Sequence, residues 1–231
     1  MKRNAWGLFF AVGALVAVMA GGHLLQDHEQ AVKKVPTTHK VIALTFDDGP
    51  HEGTTPALLS VLAAKDVRAT FFIVGENAVR WPKLLAAVAA GGNEVANHSY
   101  DHRIATRISR DDFFADLAKA EAVIMTAAPK PVYFRPPGGG YNDRLVWELR
   151  QRGYTTILWS VDPRDWERSS AERTAGYVVK HAFPGAIILL HEGNGAVQTP
   201  AAVAVIIDRL REQGYSFVTV SELLQYYEVH N

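Results

Sequence analysis

The fold of this chain is decided by the stretch Val41-Ile42-Ala43-Leu44-Thr45-Phe46-Asp47-Asp48-Gly49-Pro50, an apolar run that ends in two neighbouring aspartates. A short apolar run bounded by turn residues is typical of a strand buried on both faces. Two adjacent anions repel each other unless one binds a cation or they share a proton, so the pair indicates a metal ligand beside a general base. An acidic turn explains the same residues equally well, and the rest of the chain has to distinguish the two.

Apolar segments of the same kind recur along the chain and alternate with stretches of helical period. The predicted strands are Val41–Phe46, Thr70–Val74, Asn93–Asn97, Pro131–Phe134, Tyr154–Val161, Ala186–Leu190 and Ser216–Val220. Most lack the alternation of a half-exposed strand, and helices intervene, so a parallel sheet covered by helices is expected. About seven such units predict an α/β fold, either a barrel or an open sheet.

The composition limits which partners and which chemistry this chain can have. The 231 residues are 48% hydrophobic and carry 24 basic and 24 acidic side chains, which is an ordinary globular balance. A neutral balance without a basic stripe argues against nucleic acid as a partner. Because the sequence has no cysteine, disulfides and thiolate chemistry are excluded, and any metal must take nitrogen and oxygen ligands.

The N-terminus has a targeting pattern. Lys2 and Arg3 precede an apolar segment that runs to about Leu25. Residues 1–25 are therefore predicted to be a signal peptide or a membrane anchor, and both remain open because the segment is near the ~20 residues of a spanning helix. Residues 26–39 are predicted to be a polar linker and residues 40–231 the folded domain. We expect a monomer outside the cytoplasm, secreted or anchored at the cell wall, that meets the membrane only through its N-terminal segment.

Polar side chains follow the predicted strands at the points where the strands end. They are Asp47 and Asp48, His98 and His102, Arg135, Asp162 and Asp165, and His191. The carboxyl ends of parallel strands lie at one end of an α/β fold, so these groups are expected to meet there. Two imidazoles and one carboxylate suit zinc or a similar divalent ion and leave a coordination position open.

Three further segments could supply chemistry, although each also has a simpler structural explanation. Arg135 begins a run of two prolines and three glycines, in which backbone N–H groups can approach a ligand closely. Asp165 lies beside the aromatic Trp166, but an Asx turn would account for this stretch. His191 ends an apolar strand and is a natural general acid or base, or else a satisfied histidine at a strand end.

These motifs together resemble those of the polysaccharide deacetylase family, a carbohydrate esterase family also called the nodulation-factor deacetylase homology domain. The resemblance covers residues 41–224, and the motifs occur in family order. They are Thr-Phe-Asp-Asp-Gly-Pro at 45–50, His-Ser-Tyr-Asp-His at 98–102, Arg-Pro-Pro-Gly at 135–138, Asp-Pro-Arg-Asp-Trp at 162–166 and Leu-Leu-His at 189–191. The resemblance implies a distorted (β/α) barrel, which agrees with the strand count.

The resemblance also implies a role for each site residue. One divalent metal ion, zinc or alternatively cobalt or nickel, would be held by Asp48, His98 and His102. The catalytic residues would be the base Asp47, the acid His191, and their orienting partners Arg135 and Asp165. The substrate would be bound by Gly138, whose N–H helps to stabilise the oxyanion, and by Trp166, Leu189 and Tyr141.

The chain departs from the family pattern at two positions. Gly138 stands where many members have tyrosine, and Tyr141 is expected to fill the space that this leaves. Glu192 follows the last histidine where many members have aspartate, and little consequence for the mechanism is expected.

The predicted function is hydrolysis of N-acetyl groups on an amino-sugar polymer, either peptidoglycan or a chitin-like chain. Two alternatives remain. The same site could remove O-acetyl groups from a xylan-like polysaccharide, or the chain could be a non-catalytic carbohydrate-binding descendant of the fold.

Overall fold

The computed structural model describes residues 31–193 and 196–228. The predicted signal peptide or anchor at residues 1–25 lies outside these ranges. Each of the seven predicted strands is present, although several are shorter than expected. They are β1 (Val41–Gly49), β2 (Thr70–Ile73), β3 (Glu94–Asn97), β4 (Tyr133–Phe134), β5 (Thr155–Thr156), β6 (Ile187–His191) and β7 (Ser216–Phe217).

Helices connect these strands. Within the described ranges the α-helices are α1 (Thr55–Ala64), α2 (Gly75–Arg80), α3 (Pro82–Ala90), α4 (Arg110–Ile124), α5 (Asp143–Arg150), α6 (Ala171–His181), α7 (Thr199–Glu212) and α8 (Val220–Leu223). Short 3-10 helices lie at Ala105–Arg107, Pro137–Gly139, Asp165–Glu167 and Leu224–Tyr226. No helix in the described part of the chain has both the length and the apolar composition needed to cross a bilayer.

The strands form one parallel sheet that closes on itself. Six strands pair in the order β5-β4-β3-β2-β1-β6, and β7 pairs with the first residues of β1. A bridge between Val161 and Ile188 joins β6 to the chain that continues from β5, so the two edges of the sheet meet. This is a (β/α) barrel whose β4 and β5 contain only two residues each, and the predicted fold class is confirmed.

Alternation along β1 divides its side chains between two layers. Ile42, Leu44 and Phe46 belong to the core between the strands and the helices. Val41 and Ala43 belong to a second cluster on the opposite face, with residues of β2, β3, β4 and β6. Because successive side chains of a strand point to opposite faces, this second face continues through Thr45 and Asp47 towards the carboxyl end of the barrel.

Residues 32–35 pack on the barrel, although the polar composition of residues 26–39 predicts a tether there. Val32 forms a bridge with Ile157, and Lys34 forms one with Ala186. Val32 and Val35 are only 4% and 2% exposed. Burying such a side chain contributes about 1.5–3 kcal/mol, which is enough to hold a short polar segment in place. A domain boundary at residue 40 is therefore too late, and the fold includes residues from Val32 onward.

Candidate active site

A cavity of about 380 Å³ lies where the carboxyl ends of the strands meet. It is lined by Asp47, Asp48, His98, His102, Gly138, Trp159, Asp162, Trp166, Leu189 and His191. Eight of the eleven site residues named from the sequence are in this set. Arg135 and Asp165 lie directly behind the wall, as described below.

A β-bulge in β1 brings both aspartates to this cavity. In the pairing of β1 with β2, Asp47 lies opposite Phe72 and Gly49 lies opposite Ile73, so Asp48 is an extra residue without a register partner. Its backbone has φ 71°, in the left-handed region. In a regular strand two successive side chains would face opposite sides of the sheet. The bulge removes this conflict because it turns the side chain of Asp48 to the face that Asp47 already occupies.

Asp48, His98 and His102 form the one group of metal-ligand type found among the described residues, and their donor atoms lie within 4.8 Å of one another. The Nε2 atoms of His102 and His98 are 3.1 and 3.5 Å from Asp48 Oδ1. That buried oxygen has no hydrogen-bond partner within the described ranges. A buried oxygen that has no hydrogen-bond donor and faces two imidazole nitrogens is suited to binding a cation together with them.

The two neighbouring histidines stabilise the negative charge of Asp48. Burial raises the pKa of Asp48, but the facing imidazoles of His102 and His98 lower it by more, so the pKa of Asp48 lies well below its usual range. The group therefore remains a carboxylate at neutral pH. A carboxylate between two imidazoles offers the nitrogen and oxygen donors that zinc, cobalt and nickel accept.

The tautomer of His98 is determined by Arg135. His98 Nδ1 lies 2.7 Å from the backbone oxygen of Arg135, and a carbonyl oxygen can only accept. Nδ1 therefore carries the proton, and Nε2 presents its lone pair to the cavity. Such an outer partner typically orients a metal-binding histidine.

Strained backbone conformations occur at two of the three donor residues. Besides Asp48, both Ser99 and His102 have positive φ values, of 70° and 60°. The left-handed conformation costs a non-glycine residue roughly 1–2 kcal/mol. Hydrogen bonds compensate locally, because Asn97 Oδ1 accepts from the Ser99 N–H and Ser99 Oγ accepts from the His102 N–H. Strain retained in this way is common at ligand-binding positions.

Arg135 holds Asp47 in place from inside the barrel. The guanidinium is fully buried. Its Nη1 donates to Asp47 Oδ1 at 2.7 Å and to Thr45 Oγ1 at 2.8 Å, and its Nη2 donates to a backbone oxygen at 2.9 Å. The same group stacks on Phe72, 3.9 Å from the ring centroid. Burial lowers the pKa of Arg135 and the charge of Asp47 opposes this shift, but an arginine stays protonated in proteins, so the pair is ionic.

His191 is held from behind by Asp165. Its Nδ1 lies 2.8 Å from Asp165 Oδ1, and its backbone N–H donates to Asp165 Oδ2 at 2.9 Å. Thr199, at the start of α7, donates a third hydrogen bond to Asp165 at 2.7 Å. Burial lowers the pKa of His191, but the hydrogen bond and charge of Asp165 outweigh burial and raise this pKa to about 9. The ring is therefore an imidazolium at neutral pH.

Aromatic and apolar side chains form the remaining wall. Trp166 is 45% exposed and Leu189 is buried, and both line the cavity with Trp159. Gly138 has φ 61°, and a Cβ at this position would meet no atom within 4 Å. The chain therefore leaves open the space next to Gly138.

The predicted placement of Tyr141 at this open space is wrong. Tyr141 is not among the residues that line the cavity. It packs instead against the separate apolar cluster that contains Phe113, Phe134 and Leu145. Burial of its ring in that cluster is the stronger tendency, because an aromatic ring contributes a large apolar surface.

Sequence reasoning missed three residues that complete the site, namely Thr45, Trp159 and Thr199. Thr45 and Thr199 hold Arg135 and Asp165 through single hydroxyl groups, and a lone threonine carries no sequence signal for such a role. Trp159 was detectable in principle, because it lies in the predicted fifth strand, where a large aromatic can face the end of a barrel.

Comparisons with known proteins identify the family of this chain. A family model described as polysaccharide deacetylase matches residues 34–157. A peptidoglycan-N-acetylglucosamine deacetylase of Bacillus cereus is 42% identical over 196 residues, covering 84% of this chain and 92% of the relative. A chitooligosaccharide deacetylase of Sinorhizobium fredii is 34% identical over 202 residues, covering 82% and 94%. The crystal structure of a peptidoglycan N-acetylglucosamine deacetylase superposes with a TM-score of 0.82 at 30% identity, covering 86% of this chain and 95% of that one.

The fold, the grouped side chains and these relatives define the class of this protein as a carbohydrate N-deacetylase. The matched model spans more than half of the chain, and the chain covers each of these relatives over most of its length. The chain belongs to the polysaccharide deacetylase family, and the resemblance drawn from its five motifs is confirmed.

Proposed function

We propose that this protein hydrolyses N-acetyl groups of an amino-sugar polymer of the peptidoglycan or chitin type, with a divalent cation bound by Asp48, His98 and His102. One observation carries the proposal. Asp47 and His191 are register partners on the neighbouring strands β1 and β6, and each is paired with a buried opposite charge. The carboxylate on β1 and the imidazolium on β6 are the base and the acid that amide hydrolysis requires.

The free atoms of the two residues assign their roles. Asp47 Oδ1 is engaged by Arg135, so Oδ2 is the oxygen that can take a proton from water. His191 Nδ1 is engaged by Asp165, so Nε2–H is the proton available to the departing amine. Arg135 orients the base through a buried ion pair. Asp165 keeps the acid protonated, because a nearby opposite charge favours the charged form.

A divalent cation at the three donors would supply Lewis-acid chemistry, polarising the acetyl carbonyl and lowering the pKa of water; zinc is our first expectation for its identity. Gly138 offers a backbone N–H at the cavity wall for the developing oxyanion. Trp166 and Leu189 form an apolar surface suited to the acetyl methyl group.

A second cavity supports a polymeric substrate. It has a volume of about 340 Å³ and shares Asp48 and His102 with the first, so the two cavities adjoin at these donors. Its other lining residues include the polar side chains of His51, Glu76 and Arg80, which suit sugar hydroxyl groups. Longer oligosaccharides should therefore be deacetylated with a higher kcat/KM than short ones.

Residues 1–25 have the pattern of a signal peptide or anchor, and this supports action outside the cytoplasm, where such polymers lie. We propose residues 26–31 as a linker and a monomeric domain from Val32 onward. Cell fractionation and the mass of the purified protein in solution test these assignments.

Acetate release by the full-length protein, measured with added Zn²⁺, Co²⁺ or Ni²⁺, tests the function. The substrates are peptidoglycan, N-acetylglucosamine oligomers of increasing length and acetylated xylan, with Asp47→Asn as the inactive control. Release from the first two substrates is expected. Release from xylan alone would identify an O-acetyl esterase, and no release from any substrate would support a binding protein.

A further inference from the structure

Glu192 is a fully buried carboxyl group that the mechanism above leaves without a role. It follows β6 directly, and its exposure is 0%. Its Oε2 accepts a hydrogen bond from the Thr55 hydroxyl, whereas its Oε1 has no partner within the described ranges. Burial and the charges of Asp48 and Asp47 raise the pKa of Glu192 to about 8, despite the hydrogen bond from Thr55. A carboxyl in this position is costly to retain, and its contacts indicate what it does.

Glu192 and Gly193 form the wall behind the bulge in β1. A Cβ on Gly49 would overlap the Glu192 carboxyl, so these two residues are in tight contact. A Cβ on Gly193 would lie 2.8 Å from the Cβ of Asp48. The backbone N–H of Glu192 also donates to the backbone carbonyl oxygen of Asp47 at 2.9 Å. The pair therefore contacts each of the three residues Asp47, Asp48 and Gly49.

Two buried threonines hold Glu192 in this position. The Thr54 hydroxyl donates to the Glu192 backbone oxygen. The Thr55 hydroxyl accepts from the His51 N–H at 2.8 Å, so its single hydrogen is available to Glu192 Oε2. The main chain and the side chain of Glu192 are thus fixed separately by neighbouring residues at the start of α1.

We propose that Glu192 is a positioning residue for Asp48, which holds the left-handed bulge in the conformation that directs the Asp48 carboxylate towards His98 and His102. Positive φ at a non-glycine residue persists only where the surroundings over-determine it. Gly49 and Gly193 contact the bulge from two sides, and the Glu192 side chain fills the space between Gly49 and Thr55. Without that side chain, the bulge can relax and the three donor atoms separate.

The proposal rests on the cation site of the proposed function, so its test measures cation affinity and not turnover. Full-length protein is titrated with Zn²⁺ in competition with a chromogenic chelator. Glu192→Ala and Thr55→Val are each expected to raise the Zn²⁺ dissociation constant about 10- to 100-fold, as is typical when an outer partner of a metal site is lost. Their effects should not add in the double variant, because both remove one contact.

Two further variants separate positioning from a general loss of stability. Glu192→Gln keeps the length of the side chain and an acceptor for Thr55, so it should restore most of the affinity that Glu192→Ala loses. Glu148→Ala removes a different buried carboxylate, which pairs with Arg110 and Arg144 away from the cavity. It should lower the thermal midpoint while the Zn²⁺ affinity stays at that of the wild type.

The outcomes are distinct. Equal affinities of Glu192→Ala and the wild type would overturn the positioning role and leave the cation site intact. A similar loss of affinity in Glu148→Ala would also overturn it, because the effect would then be one of stability. Absence of Zn²⁺ binding in the wild type would overturn the cation site, and the positioning role with it.

Discussion

Replacement of Asp165 by asparagine should shift the alkaline limb of activity by about two pH units or more. Asp165 accepts from both the ring and the backbone of His191. Burial lowers the pKa of His191, but the hydrogen bond and charge of Asp165, followed by the charges of Asp47 and Asp48, raise it from 6.5 to about 9. Asparagine keeps the size and the acceptor oxygen of Asp165 but lacks the charge.

The magnitude follows from the two pKa values. Without the charge of Asp165, the pKa of His191 is expected to fall towards its ordinary value of 6.5, because burial then acts with less opposition. The protonated fraction at pH 8 falls from about 90% to about 3%, so the rate at this pH should drop about 30-fold. The difference between the two pKa values corresponds to about 3 kcal/mol, at about 1.4 kcal/mol for each pKa unit.

The assay is the pH profile of kcat for acetate release between pH 5 and 10, with saturating cation. A bound cation offsets the contributions of Asp47 and Asp48 to the pKa of His191 in both proteins. The pH difference between the alkaline limbs of the two proteins is therefore the quantity to compare. Asp162→Asn is the matched control, because Asp162 lines the same cavity and hydrogen-bonds to the Arg164 N–H instead of His191. Coincident limbs for Asp165→Asn and the wild type would refute the assignment of His191 as the acid.

Four other substitutions test the remaining parts of the site. Asp48→Ala should lose bound metal, whereas Asp47→Asn should retain metal and lose turnover by at least about 100-fold. Metal content and acetate release are measured on the same samples. Loss of metal in both variants would contradict the division of roles. Arg135→Met should lower the free energy of unfolding in urea by about 3–5 kcal/mol, because Asp47 is left buried and unpaired, and an unchanged midpoint would count against the buried pair. Glu192, whose pKa is raised from 4.5 to about 8, should stabilise the metal-free fold fully below pH 4.5 and lose this contribution as the pH rises through 8. Glu192→Gln should remove that part of the pH dependence, which is at most about 5 kcal/mol, and a profile parallel to the wild type would show that folding does not shift the pKa of Glu192.

The parts of the fold that depend on local pattern were predictable from the sequence. Val203, Ile206, Ile207 and Leu210 recur at helical spacing, and all four are buried on α7. Ser109 and Asn142 are residue types that favour the N-cap, and each accepts the N–H three residues further on, at Asp112 and Leu145. Ser169 and Glu172 have the spacing of a capping box, but the helix is capped by Ser170 instead. Adjacent serines are equivalent in sequence, and only the tertiary path of the chain selects between them.

The candidate site was predictable only as a set of residues that meet. Parallel strands bring their carboxyl ends together, so the position of His98 or His191 after a strand was sufficient to place it. Contacts that join distant segments carried no such signal. Thr45 and Arg135 are 90 positions apart and meet through one hydroxyl. Tyr141 was misplaced for the same reason, since nothing in its own segment indicates which apolar cluster receives its ring.

The bulge in β1 explains why two neighbouring aspartates can take different roles on one face. A regular strand would direct Asp47 and Asp48 to opposite sides of the sheet, and one of them would be lost to the site. The extra residue at Asp48 corrects this, but it requires a left-handed backbone and a close approach of β1 to the end of β6. Gly49 permits that approach, because any Cβ there would overlap Glu192. The glycine of the Asp-Asp-Gly-Pro motif therefore helps to bring both carboxylates to one face, and the turn chemistry that first competed with a metal site is part of how that site is built.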